Sequence, residues 1–244
     1  MNQLILEKYA SNFRAQLGYS NTESIHLKSL LHKLGVLAVF RPLDMALSGI
    51  AIKSGDSNHF MLINTARTLG HQHFTICHEL YHLFIQEGFD YQVCQVGLFD
   101  KKDKEEYNAD IFASKFLIPE EGILALVPDT ELKKAKVTLA TILKIEQYFS
   151  CSRRALLNRL FELKLIDKIQ KEEYKDNVRA SAMNHGYSLK LYEKNEVSEV
   201  IGDYGNVARK LFEQDKISET HYYGLLEDIG LDFSTLRNDG DEKE

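Results

Sequence analysis

The apolar positions of the chain fall into short periodic runs separated by glycine, proline and clusters of turn-forming residues. Helical spacing is predicted over residues 2–16 and again over 22–34. In the second run Leu27, Leu30, Leu31 and Leu34 recur, with Thr22 placed to cap the helix and Gly35 to end it. Three strand-like runs follow, Val36–Arg41, Leu47–Ile52 and His59–Ile63. The turn-forming stretch Ser54-Gly55-Asp56-Ser57-Asn58 predicts that the last two form a hairpin. A long helical segment is predicted from about His73 to Gln86, closed by Gly88. Another runs from about Lys104 to Ile118, where Pro119 stops it. Helices, a small sheet and two further helices make an α+β domain of about 125 residues.

From Thr138 onward the pattern changes. Leu139, Ile142, Leu143, Ile145 and Phe149 form one helical stripe, Ser150-Cys151-Ser152 breaks it, and Ala155, Leu156, Leu157, Leu160 and Leu163 begin a second. Two short helices about a tight break resemble a helix-turn-helix. The remaining residues are polar and mostly helical in pattern. The expected division is an α+β domain at 1–130, the helix-turn-helix-like segment at 131–170, and a helical region at 171–244 whose acidic end, Asn238–Glu244, is expected to be a disordered, solvated tail.

Composition narrows the class of protein. With 44% hydrophobic and 27% charged residues among 244, the chain has material for a real core. A formal net charge of −6 argues against a protein built for blanket phosphate binding. No apolar run reaches the roughly 18 residues of a membrane span. The apolar start of the chain is interrupted by Glu7, Lys8 and Arg14 and lacks a small-residue cleavage site, so it reads as an amphipathic helix rather than a signal peptide. Cys77, Cys94 and Cys151 are few, odd in number and widely spaced. That favours a reducing compartment, and a cytoplasmic location is expected.

The candidate chemistry lies at His78-Glu79-Leu80-Tyr81-His82, an H-E-x-x-H motif. Residues four apart on a helix lie one above the other, so His78 and His82 face the same point and can share a zinc ion. The helix is supported by Ile76, Leu80, Leu83 and Phe84, which form an apolar stripe on its other side. Glu79 sits beside His78, placed to act on water as a general base rather than as a ligand. A catalytic zinc has three protein ligands and one open position. The third ligand is expected on the following helix, where Glu106, Ala109, Asp110, Ala113 and Leu117 share a face. Glu106 is the first choice, with Asp110 and Glu105 next. Asp110 would also serve by accepting a hydrogen bond from a ligand histidine. The competing role for Glu106 is a capping box with Asp103.

These residues carry a resemblance. Ser48-Gly49, Leu62-Ile63-Asn64, the run His73–Leu83 and the run Glu106–Pro119 resemble the ImmA/IrrE family of zinc metallopeptidases, which show a phenylalanine-threonine pair before HExxH and an E-x-x-A-N-x-F-A-x-x-L-L-x-P pattern after it. The chain departs from that pattern with His73 for arginine, Cys77 for alanine, Tyr81 for glycine and Asp110 for asparagine. The resemblance implies a zincin-like fold and a gluzincin-like site: His78, His82 and Glu106 holding about one Zn²⁺ per chain, Glu79 as base, and Asp110 behind a ligand. It also implies a protein substrate, a helix-turn-helix repressor on a separate chain whose removal derepresses stress or mobile-element genes.

Other residues invite weaker readings. Cys77 is expected to be a small buried residue and Tyr81 to shape the pocket. His71 and His73 are candidates for substrate or oxyanion contacts, with at least one of them expected simply to be exposed in the loop entering the helix, and Tyr107 is either an oxyanion donor or an aromatic core contact. Arg153, Arg154, Arg159 and Lys164 surround the second helix of the helix-turn-helix-like pair and would suit DNA phosphates. The acidic balance and the leucine content of that helix favour a packing module instead, so direct DNA binding is not expected. The alternative for the whole chain is a metal-containing regulatory binding module without peptidase activity.

Overall fold

The computed structural model describes residues 2–55, 58–89, 91–94, 103–194 and 198–229, with β4 (91–94) known by its backbone alone. The tail Asn238–Glu244 lies outside the described residues. The fold is α+β. Helix α1 (Gln3–Gln16) and helix α2 (Leu27–Lys33) precede strands β1 (Val36–Arg41), β2 (Gly49–Ser54) and β3 (Asn58–Asn64). Next come α3 (Leu69–Phe84), β4 (Tyr91–Cys94) and α4 (Lys104–Leu117). Helices α5 (Glu120–Leu126), α6 (Asp129–Leu132), α7 (Leu139–Phe149), α8 (Arg153–Glu162), α9 (Lys168–Tyr174) and α10 (Val178–Asn184) follow. Strand β5 (Glu199–Ile201) and the helices α11 (Tyr204–Glu213) and α12 (Glu219–Asp228) complete the described chain.

The sheet has five strands in the order β4-β2-β3-β1-β5. Strands β2 and β3 form the expected hairpin, with Ser54 opposite Asn58, while β1 runs parallel to β3. Alternation puts Val36, Ala38, Phe40, Ala51, Met61 and Ile63 on the buried face. Two strands escape the sequence reading. Both β4 and β5 are short edge strands that pair only with distant segments, β4 with β2 and β5 with β1.

Helix α3 lies across the buried face and is itself buried from Phe74 to Leu83. Its other side meets α4, which also packs on α1 through Phe13, Phe112 and Phe116. The small residues Ala109 and Ala113 are fully buried on α4, as close approach to α3 requires. Helix α3 begins a turn earlier than the periodicity predicts, because Leu69 donates its backbone N–H to Glu193 and Thr68 bridges Lys194. Helix α2 is shorter than predicted. Thr22 does not cap it; the N-cap position is His26, without a side-chain bond.

The helix-turn-helix-like pair is α7 and α8. Thr138 caps α7, Ser150 ends it in the left-handed conformation (φ 51°), and Ser152 caps α8. This turn docks on the start of α3. A Cβ at Gly70 would lie 2.8 Å from the Ser152 nitrogen, and His73 Nδ1 donates to the Ser150 carbonyl at 2.7 Å. One hydrophobic core runs from Leu6 through α3 and α4 to Ile166.

Candidate metal centre

Helix α3 places His78 and His82 on one face, one turn apart. Their Nε2 atoms lie 3.1 Å from each other. Helix α4 brings Glu106 opposite, with one carboxylate oxygen 3.3 Å from His78 Nε2 and the other 3.2 Å from His82 Nε2. Donor atoms of these three side chains all lie within 4.8 Å of one another. Ligands about 2 Å from a tetrahedral zinc stand roughly 3.3 Å apart, so the three donors have the spacing that such an ion requires.

Both imidazoles are oriented from behind. His78 Nδ1 donates to Asp110 Oδ1 at 2.9 Å, and His82 Nδ1 donates to Gln86 Oε1 at 2.5 Å. Each bond fixes the tautomer and turns an Nε2 lone pair toward the shared point. Electrostatics tell the same story. Burial opposes a charge on His78, but the hydrogen bonds to Asp110 and Glu106 outweigh it and raise its pKa to about 10. Burial also opposes the Glu106 carboxylate, yet the two histidines hold its pKa well below the usual range.

Glu79 is buried between α3 and the start of β2. A Cβ at position 49 would lie 2.6 Å from Glu79 Oε1 and 2.7 Å from Thr75 Cγ2, so only glycine leaves room for this carboxylate. On the other side of α3, the Tyr81 hydroxyl donates to Glu105 at 2.7 Å, and its ring packs on Phe112.

Of the carboxylates on α4, Glu106 thus faces both imidazoles, Asp110 sits behind His78, and Glu105 is turned to Tyr81. Glu106 does begin its helix beside a cap, since the Asp103 side chain accepts from the backbone N–H groups of Glu105 and Glu106. Its side chain still reaches the histidines. Several expectations change. Tyr81 is a core residue rather than a pocket wall. His73 is held by the α7–α8 turn. The Tyr107 hydroxyl accepts from Gln3 of α1 at 3.1 Å. His71 pairs with Ser48 Oγ at 3.1 Å, and burial followed by the charges of Arg67 and Arg154 lowers its pKa to about 4. Cys77 is buried as expected, which pushes its thiol pKa up. The part of Gln86 behind His82 and that of Gly49 beside Glu79 were not read from the sequence. Gln86 stands four residues after His82, and that spacing was a legible signal. Gly49 belongs to the resemblance, but nothing local showed that it makes room for Glu79.

A mixed fold whose central helix and its neighbour carry two histidines and a glutamate defines a candidate metalloprotein of the HExxH type. Residues 32–161 match the peptidase M78 family, described as the IrrE N-terminal-like domain, and the chain belongs to that family. No curated protein matches it. Among the described residues no helix is long and apolar enough to cross a membrane.

Proposed function

We propose that the chain is a zinc-dependent endopeptidase. The observation that carries this reading is the convergence of His78 Nε2, His82 Nε2 and Glu106 on one point, with Glu79 next to His78 on the same helix. His78, His82 and Glu106 would hold the ion and leave a fourth position open. When bound there, zinc acidifies a water molecule and polarises the scissile carbonyl. Glu79 takes a proton from the attacking water as the oxygen bonds to the carbonyl carbon. It delivers that proton to the leaving amine nitrogen as the C–N bond breaks. Asp110 and Gln86 keep the two imidazoles in register throughout.

The substrate, on the resemblance set out above, is a helix-turn-helix repressor supplied as a separate chain. Its removal would relieve transcriptional repression. Burial of Arg153 and Arg159 supports a protein partner over DNA, because two of the four candidate phosphate contacts point inward. The setting is cytoplasmic, consistent with free, buried Cys77 and Cys151.

Metal analysis of the purified chain tests the site. About one zinc per chain is expected, lost in His78→Ala and in Glu106→Ala. Glu79→Gln should keep the zinc and abolish hydrolysis of a repressor substrate. Full activity in Glu79→Gln, or no zinc in the wild-type chain after reconstitution, would sink the reading.

A further inference from the structure

Helix α8 does not present its cations together. Arg153 is paired with Glu146, and Arg159 is buried against Glu7 and Glu162. To solvent α8 shows Arg154, Phe161 and Glu162, with the half-buried Asn158 one turn after Arg154. Arg154 and Asn158 line a groove of about 360 Å³ that Gln3 of α1, Ile111 and Ser114 of α4, Glu162 and Lys171 also border. Its volume falls in the range of roughly 300–1,000 Å³ typical of binding sites.

The groove and the candidate metal centre share helix α4. Ser114 follows Asp110 by one turn of α4, about 5–6 Å along the axis. Helices α3 and α4 run antiparallel, since Tyr81 meets Glu105 and His78 meets Asp110. The start of α3 therefore lies alongside the second half of α4. The α7–α8 turn is fastened there, through Gly70 and His73. Arg154 is near enough for its charge to act on His71.

The charge in the groove is not balanced. Glu162 is met by Lys115 and by Arg159, each at 3.0 Å. Among the described residues Arg154 and Lys171 have no ion pair, and the Lys171 ammonium rests over the Phe161 ring. Two unmatched cations, the amides of Gln3 and Asn158, and the apolar Ile111 thus border a groove that reaches to within one turn of Asp110 on α4.

We propose that this groove is a recognition surface for an acidic, extended polypeptide segment, whose carboxylates pair with Arg154 and Lys171 while an apolar side chain lies on Ile111. This deepens the peptidase reading, on which it rests only for calling the bound polypeptide a substrate. A nucleic-acid backbone is the poorer fit, because Arg153 and Arg159 are withdrawn and the chain carries a net charge of −6.

The test is an NMR titration of the ¹⁵N-labelled, zinc-loaded full chain at low ionic strength. The probes are a capped nine-residue peptide of alternating glutamate and leucine, its glutamine counterpart, and an oligothymidylate. The glutamate peptide should shift the amide signals of residues 111–114 and 154–158. The double variant Arg154→Glu/Lys171→Glu should weaken that binding roughly tenfold, as expected for two exposed ion pairs turned repulsive, while Arg154→Lys should retain most of it. Equal binding of the glutamine peptide, no effect of the double variant, no shifts in the groove, or occupation by oligothymidylate in place of peptide would each overturn the proposal. Peptide cleavage is followed in the same samples. Binding in the groove without hydrolysis by the zinc-loaded chain would count against the peptidase reading and leave the groove standing.

Discussion

Each histidine of the candidate metal site has a hydrogen-bond acceptor on its far nitrogen, and partners of this kind tune metal affinity. Asp110→Ala removes the acceptor that orients His78. It should lower zinc affinity about 10- to 100-fold, measured by competition with a chromophoric chelator. Asp110→Asn keeps an oxygen acceptor and should lose less. Gly49 acts on the neighbouring residue. Its replacement by alanine drives a methyl group into the Glu79 carboxylate and the Thr75 side chain, both in a packed interior. Gly49→Ala should cost about 1–3 kcal/mol in urea unfolding and reduce turnover, while zinc content stays near the wild-type level. His78, Glu79 and His82 were legible in the sequence because a helix converts four-residue spacing directly into a shared face. Gly49 was not, because its role exists only where β2 crosses α3.

Between elements, buried polar groups decide how the helices are joined. Glu146 of α7 receives two bonds from Arg153 of α8, at 2.6 and 2.7 Å, and both side chains are buried. The Tyr192 hydroxyl and the Tyr174 carbonyl complete the cluster, tying α9 and the segment before β5 to the helix pair. Removing one partner strands a buried charge, so Arg153→Ala should cost about 3–5 kcal/mol in urea unfolding, while the same change at exposed Arg154 should cost under about 0.5 kcal/mol. The sequence pattern marked both arginines alike, since one residue of offset turns a side chain by 100° and only the neighbours say which direction is inward. His71 joins α3 to Ser48 in its neutral form. Its folded pKa, about 4, lies below the unfolded value of 6.5, so the folded state binds fewer protons. Its contribution is complete above about pH 6.5 and is lost as the pH falls toward 4. Between pH 7 and pH 5 the wild type should lose about 2 kcal/mol more than His71→Gln, compared by denaturant unfolding at both pH values.

For the whole molecule, stability should be graded from the centre outward. Helices α3 and α4 lie within the continuous core, whereas α11 and α12 contribute few buried apolar residues, Ala208 and Leu226 among them, and stack on each other through Phe212 and Tyr222. Native-state hydrogen exchange should find α3 and α4 opening only with global unfolding and α11–α12 opening at lower free energy. Equal protection in both would contradict this grading.

The sequence by itself determined what local geometry can determine. Apolar period and turn residues located α1, α3, α4, α7, α8 and the β2–β3 hairpin, and the HExxH spacing placed two imidazoles on one side of a helix. The sequence ranked Glu106 first among three carboxylates, and tertiary structure decided between them. Glu105, Glu106 and Asp110 lie within six residues of the same helix, and their different directions acquire meaning only against α3, where one meets Tyr81, one meets both imidazoles and one stands behind His78. The edge strands β4 and β5 were hidden for the same physical reason. Their hydrogen-bond partners are remote in the chain, so nothing in their own few residues announces the pairing.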